Sequence, residues 1–153
     1  MNLVIHELGI TGSFGNTSLR QLITVGTEDL DLYALRPHLY KHLAPAGSLF
    51  MRIEDTNQKK IKQSETIAIS TISSANYFHG YVRFLIGCTL KKNTQYYVSL
   101  HSTGYTYSGS AFIGWCNDFD LRKVTADYSP NNGVNGAMDF EIWRYQRLLK
   151  GAA

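Results

Sequence analysis

Apolar residues at every second position are the feature that most constrains this chain. Residues 49–53, 96–100 and 138–142 each carry an apolar or aromatic side chain at alternate positions. Alternate residues of a β-strand face the same side, so this pattern predicts strands with one face packed on a core. The ten tyrosines and seven phenylalanines agree, because aromatic residues favour strands.

The rest of the chain fits the same interpretation. Pro45-Ala46-Gly47 lies between two alternating runs and predicts a hairpin, whereas Pro37 inside a predicted strand indicates an edge strand or a bulge. Helix signals are confined to residues 143–150. Further strands are predicted at residues 3–8, 19–25, 31–41, 66–70, 81–88 and 112–116, and turns at 12–16, 44–48, 55–57, 73–76 and 129–133.

About nine short strands separated by turns, in a chain of 153 residues, predict one all-β domain. The expected architecture is a single antiparallel β-sandwich, and we favour the jelly-roll type. No apolar run approaches the roughly 18 residues that a membrane helix needs. The N-terminus reaches Glu7 without a basic or long apolar segment, so we expect no secretory signal.

The charge balance gives little reason to expect a nucleic-acid partner. Fifteen Lys and Arg against twelve Asp and Glu leave a net charge of +3, and the basic residues are scattered rather than gathered in one stripe. Short basic runs such as residues 59–62 are expected to be solvated loops.

Cys88 and Cys116 match no metal or redox spacing. Buried free thiols are favoured for both, and a disulfide between neighbouring strands is the alternative.

Motifs for catalysis are absent from the sequence, so an enzyme is not expected, and no cofactor is implied. His38 and His42 would share one side of a strand with Tyr40, where a solvated or interface face is favoured over an incomplete metal pair. Asp118 and Asp120 form a weak calcium candidate, and exposed loop acids are the simpler interpretation.

Aromatic residues cluster among small polar ones near residues 103–115. Rings beside hydroxyl groups can cap a sandwich core, form a protein interface or stack on a sugar, and all three interpretations stay open. The candidate ligand-binding or partner-binding residues are Tyr105, Tyr107, Trp115 and Tyr128.

The half of the chain from Leu90 onward resembles a known family. Residues 90–100 are similar to a strand of the form L-x-x-G/N-T-x-Y-x-x-x-L, residues 139–143 to a closing L-x-F-x-I strand, and residues 35–41 with 49–53 to an opening strand pair. The family is that of the jelly-roll modules found in phage virion proteins and in lectin-like carbohydrate-binding modules. The resemblance covers about residues 18–145. It implies an N-terminal arm at 1–17, the sandwich at 18–145 and a C-terminal tail at 146–153.

This resemblance implies a non-enzymatic structural protein of a phage virion, assembled in the host cytoplasm. The expected role is a capsid decoration or cement protein that stabilises the shell as a homo-oligomer, by family analogy a trimer, bound to the major capsid protein or another virion protein. The arm begins with the alternating segment Leu3-Val4-Ile5-His6. Its residues Leu3, Val4 and Ile5 are expected to add a strand to the sheet edge of another subunit. The alternative is a carbohydrate-binding or receptor-binding module of a phage tail. Neither function needs a nucleic acid or a membrane.

Overall fold

The protein is described by a computed structural model that gives the structure of residues 8–14, 19–72, 81–106, 108, 111–118, 137–138 and 140–144. These residues are mostly strands with a single 3₁₀ turn at Ile69–Thr71. This confirms the predicted all-β class. In chain order the strands are β1 (Leu8–Phe14), β2 (Leu19–Thr24), β3 (Leu30–Pro37), β4 (Leu39–His42), β5 (Ser48–Glu54), β6 (Lys60–Gln63), β7 (Ile67–Ala68), β8 (Phe84–Leu90), β9 (Gln95–Thr103), β10 (Phe112–Asp118), β11 (Ala137–Met138) and β12 (Phe140–Arg144).

The first of two antiparallel sheets has the strand order β2-β9-β5-β6, and β7 pairs with the beginning of β5. Its longest pairing joins β5 to β9, from Ser48 opposite Thr103 to Glu54 opposite Tyr97. These central strands are the two stretches in which the alternation is clearest. Their pairing therefore gives the sheet one continuous apolar face and one polar face.

The second sheet is organised around β3, in the order β12-β3-β8. After an isolated bridge between His38 and Tyr81, the chain continues as β4, which pairs with β10. Strand β10 in turn pairs with β1 and β11. The stretch of residues 30–42 thus joins both groups of strands. Residues 8–14 of the predicted arm belong to this sheet as β1.

One hydrophobic core takes side chains from both sheets. Phe84 of β8 is the largest of its fully buried members. Complete burial of an aliphatic or aromatic side chain contributes about 1.5–3 kcal/mol, so this cluster dominates the stability of the fold. Its members include Ile23, Leu49, Met51, Ile53, Tyr96, Val98 and Leu100 from the first sheet, and Leu32, Leu35, Leu39, Phe84, Ile86, Leu90 and Ile113 from the second.

The predicted hairpin at Pro45-Ala46-Gly47 is wrong. Strand β4 before it pairs with β10, whereas β5 after it pairs with β6, β7 and β9, so this turn carries the chain from one sheet to the other. Gly47 is required there because its φ is +111°. A Cβ atom at Gly47 would also lie 2.7 Å from the backbone nitrogen of Tyr105.

Two turn or loop predictions are also wrong. Residues 12–14 were expected in a turn but complete β1, where Ser13 lies opposite Gly114. The basic run at residues 59–62 was expected in a loop, yet Lys60, Ile61 and Lys62 lie in β6, at the edge of the first sheet. All three are exposed, as expected for a solvated segment. Exposed lysines are common on edge strands because they discourage further strand pairing.

Pro37 and Cys88 are two residues whose surroundings were predicted from the sequence. The edge strand expected at Pro37 is wrong, because Pro37 is the last residue of β3, a central strand; its carbonyl accepts a hydrogen bond from the Val82 N–H at 3.0 Å. The strand changes partners immediately after it, since His38 forms only the isolated bridge. Cys88 is a half-buried free thiol, and burial raises its pKa.

Candidate functional site

Tyr105 belongs to the hydrophobic core, and its hydroxyl accepts a hydrogen bond from the Ile113 N–H at 3.1 Å. The residue is only 7% exposed. This placement favours the interpretation in which the aromatic residue caps the core, because a sugar or a protein partner needs an accessible ring face. Gly47 contributes to it by allowing the backbone at residues 104–105 to approach closely.

Of the other predicted site residues, the structure gives the backbone positions of Trp115 and Asp118. Trp115 is in β10, opposite Gly12 on one side and Leu39 on the other, and Asp118 ends the same strand. The remaining candidates lie outside the described residues; they are Leu3, Val4, Ile5, Tyr107, Asp120 and Tyr128. Within the described part of the chain, no three His, Cys, Asp or Glu side chains are grouped as metal ligands.

A polar cluster on the first sheet is the most elaborate arrangement of charged side chains in the described residues. It lies on the face opposite to that of Met51 and Leu100. Register places Arg20 of β2, Ser99 of β9 and Arg52 of β5 directly opposite one another across three strands. Because directly opposite residues face the same side of an antiparallel sheet, these three side chains share one face.

Glu54 of β5 is the centre of this cluster. Its Oε2 atom lies 2.7 Å from Nε of Arg20, and its Oε1 atom lies 3.2 Å from Nε2 of His101. The Glu54 side chain is 1% exposed, while that of Arg20 is 24% exposed. A carboxylate removed from water in this way needs a cation and hydrogen-bond donors as partners. Arg20 supplies the charge, and His101 supplies a second contact.

His101 is held on three sides. Its Nε2 atom lies 2.8 Å from Ser99 Oγ as well as 3.2 Å from Glu54, and its ring stacks on Phe50 with the centroids 5.3 Å apart. Burial lowers the pKa of His101, and the positive charge of Arg52 lowers it further, although Glu54 acts in the opposite direction. The neutral imidazole is therefore the favoured form.

The trio of Ser99, His101 and Glu54 contains the residue types of a hydrolytic triad but lacks its geometry. In such a triad, one ring nitrogen contacts the nucleophile and the other contacts the acid. Here both contacts are made by Nε2 of His101. Ser99 is also fully buried. This arrangement holds side chains in place and has no path for a proton from serine through the ring to the carboxylate.

Arg52 extends the cluster toward the edge of the sheet. Its Nε donates to Oε1 of Gln63 at 3.0 Å, and its guanidinium carbon lies 5.1 Å from the centre of the Phe50 ring. Both contacts hold the cation along the surface. The cluster thus extends across β2, β9, β5 and β6.

A second notable surface lies on β12. Ile142 and Trp143 are 37% and 38% exposed, although they are consecutive residues of a strand. The guanidinium carbon of Arg36 lies 4.2 Å from the centre of the Trp143 ring and 5.5 Å from that of Tyr81. Tyr81 also stacks on the buried His38, with the ring centroids 4.7 Å apart.

Of the two histidines expected on one strand face, His38 is buried and His42 is exposed. A solvated face therefore describes His42 alone.

No described helix has the length and hydropathy needed to cross a lipid bilayer.

Sequence reasoning missed the cluster around Glu54, although its predicted strands include Arg20, Arg52 and Ser99. Glu54 and His101 each follow directly after one of the alternating runs, at a position that continues its polar side. No local signal reports that β2 lies beside β9, so the contact of Arg20 with a glutamate 34 residues away was not predictable.

Comparison of the chain with protein-family models, curated proteins and solved structures returned no match.

Proposed function

We propose that this protein is a non-enzymatic structural component of a phage virion, a decoration or cement protein that binds the capsid shell. In this proposal the two sheets form a sandwich of the jelly-roll type, and the protein assembles as a homotrimer on the major capsid protein or another virion protein. The sequence resemblance suggests these assignments. The surface of the molecule adds a physical reason for a role in contacts between proteins.

The exposed pair Ile142 and Trp143 is the observation that carries the proposal. Successive residues of a strand face opposite sides, so β12 offers apolar surface on both. Trp143 is also held by the guanidinium of Arg36, which limits the conformational entropy that it would lose on binding. Tryptophan and arginine are enriched among the residues that dominate protein interfaces. This combination suits a protein that acts by adhesion.

The polar cluster supports the same proposal because of what its side chains already do. Glu54 is occupied by Arg20 and His101, and Arg52 by Gln63 and Phe50. These contacts occupy the side-chain groups that a catalytic or ligand-binding site would direct at a substrate. We therefore assign the cluster a structural role on the first sheet.

Binding to capsids provides the test. Purified protein is mixed with shells that lack their decoration protein, and bound protein is measured by sedimentation while light scattering gives its oligomeric state. We expect saturable binding, and we expect Trp143→Ala to weaken it by about thirtyfold or more, the effect of losing an interface hot spot.

Leu43→Ala is the matched control, since Leu43 is 61% exposed and lies outside β12. We expect its binding to equal that of the wild type. The proposal fails if the wild-type protein does not bind the shells, or if both variants bind equally well. A reproducible signal on a glycan array would instead support the tail receptor-binding alternative.

A further inference from the structure

Two consecutive residues after β6 take the place of strand partners, one for each sheet. The backbone N–H of Ser64 donates to the Met51 carbonyl at 2.9 Å, and Ser64 Oγ accepts from the Met51 N–H at 2.9 Å. The same hydroxyl donates to the Glu65 carbonyl at 2.6 Å. Ser64 is buried and ties this segment to β5 of the first sheet.

Glu65 makes the equivalent pair of bonds to the second sheet. Its backbone N–H donates to the carbonyl of Leu85 in β8 at 3.1 Å, and its Oε1 accepts from the Leu85 N–H at 3.1 Å. A neighbouring strand would satisfy those two groups of Leu85 with its own carbonyl and N–H. In this structure, a side-chain carboxylate and one backbone amide do so.

The position of these bonds is significant because β8 lies at an edge. Among the described strands, the order β12-β3-β8 leaves β8 paired with β3 alone. An edge strand offers unpaired backbone groups to any other extended chain, and natural proteins protect such edges with charged side chains or a covering loop. Glu65 combines both devices at Leu85.

We propose that Glu65 blocks strand addition to β8 by a second copy of this chain. An incoming strand would have to displace both Glu65 bonds before it paired with Leu85. This inference goes beyond the proposed virion role, because it concerns an edge that is kept out of assembly. It holds or fails whether or not the protein binds a capsid.

The experiment compares Glu65→Ala with the wild type by amide hydrogen exchange and by light scattering over a range of concentrations. We expect exchange at the Leu85 amide to become about tenfold faster, as for loss of a bond to a charged acceptor. We also expect larger, concentration-dependent species than those the wild type forms at equal concentration. Circular dichroism verifies that the variant is folded.

Three variants keep the proposal falsifiable. Glu65→Gln retains a side-chain oxygen at the same length and should behave as the wild type, as should Glu28→Ala, which removes an exposed charge elsewhere. Glu65→Asp keeps the charge but shortens the side chain, so it should associate; it replaces Glu65→Ala if that variant does not fold. Unchanged association in the Ala or Asp variant, or association of the Gln variant, would overturn the proposal.

Discussion

Two carboxylates in this protein have similar basic partners but very different surroundings. Glu54 lies 2.7 Å from Arg20 on the first sheet, and Asp29 lies 3.1 Å from Lys91 beside the connection between β8 and β9. The Glu54 side chain is 1% exposed, whereas that of Asp29 is 34% exposed. Distance alone would rank the two ion pairs as near equals.

Solvent separates their energetic roles. An exposed pair gains little because water already solvates both charges, and salt screens them. A buried carboxylate has lost that solvation, so its protein partners must replace it. Asp29 mainly organises a turn: its Oδ1 accepts the Lys92 N–H at 2.9 Å, close to Asn93, whose φ is +52°. The following predictions test this contrast.

The largest effect is expected for Arg20→Met, which leaves the Glu54 carboxylate buried without its guanidinium. We expect the free energy of unfolding in urea to fall by about 3 kcal/mol. Arg83→Met is the control, because Arg83 is exposed, and it should change the stability by less than about 0.5 kcal/mol. Equal losses for the two variants would show that burial of Glu54 has no energetic consequence.

A smaller effect is expected for Glu54→Gln. The amide keeps an oxygen for Arg20, and the guanidinium, which is 24% exposed, can gain contact with water. We expect a loss of about 1–2 kcal/mol in the same urea experiment. The asymmetry between the two partners is the point of the test. A greater loss for Glu54→Gln than for Arg20→Met would contradict it.

The stability of the protein should depend on pH in part through the protonation of His101. Burial and the charge of Arg52 lower its pKa in the folded state below the ordinary value of 6.5, so the unfolded chain binds the proton more readily. Its contribution to stability is therefore present above pH 6.5 and lost as the pH falls through the folded-state pKa. We expect the melting temperature of His101→Gln to fall less between pH 7.5 and 5 than that of the wild type. Parallel curves would exclude His101 as the cause.

The smallest effect is expected for Asp29→Asn. The backbone N–H of Lys92 and then the side chain of Lys91 lower the pKa of Asp29 below its usual 3.8, so any contribution is present above pH 3.8 and lost as the pH falls. Because the group is exposed, we expect no measurable change in melting temperature at physiological salt. A change comparable to that of Glu54→Gln would contradict the role assigned to solvent.

Much of the fold followed from local pattern, as β5 and β9 show. Alternation identified both strands and the side chains that face the core, because the two-residue period depends only on neighbouring residues. It failed at Pro45–Gly47, since the same turn residues serve a hairpin and a crossover between sheets. The Glu54 cluster needed contacts across 34 and 47 residues of sequence, which no local pattern reports.

By itself, the sequence determined that this chain forms strands and which side of β5 and β9 is apolar. Only the tertiary structure decided which strands are neighbours, and therefore that Arg20 meets Glu54 and that Glu65 meets Leu85. The physical reason is that facing depends on steric alternation within a strand, whereas pairing depends on the packing of the whole core.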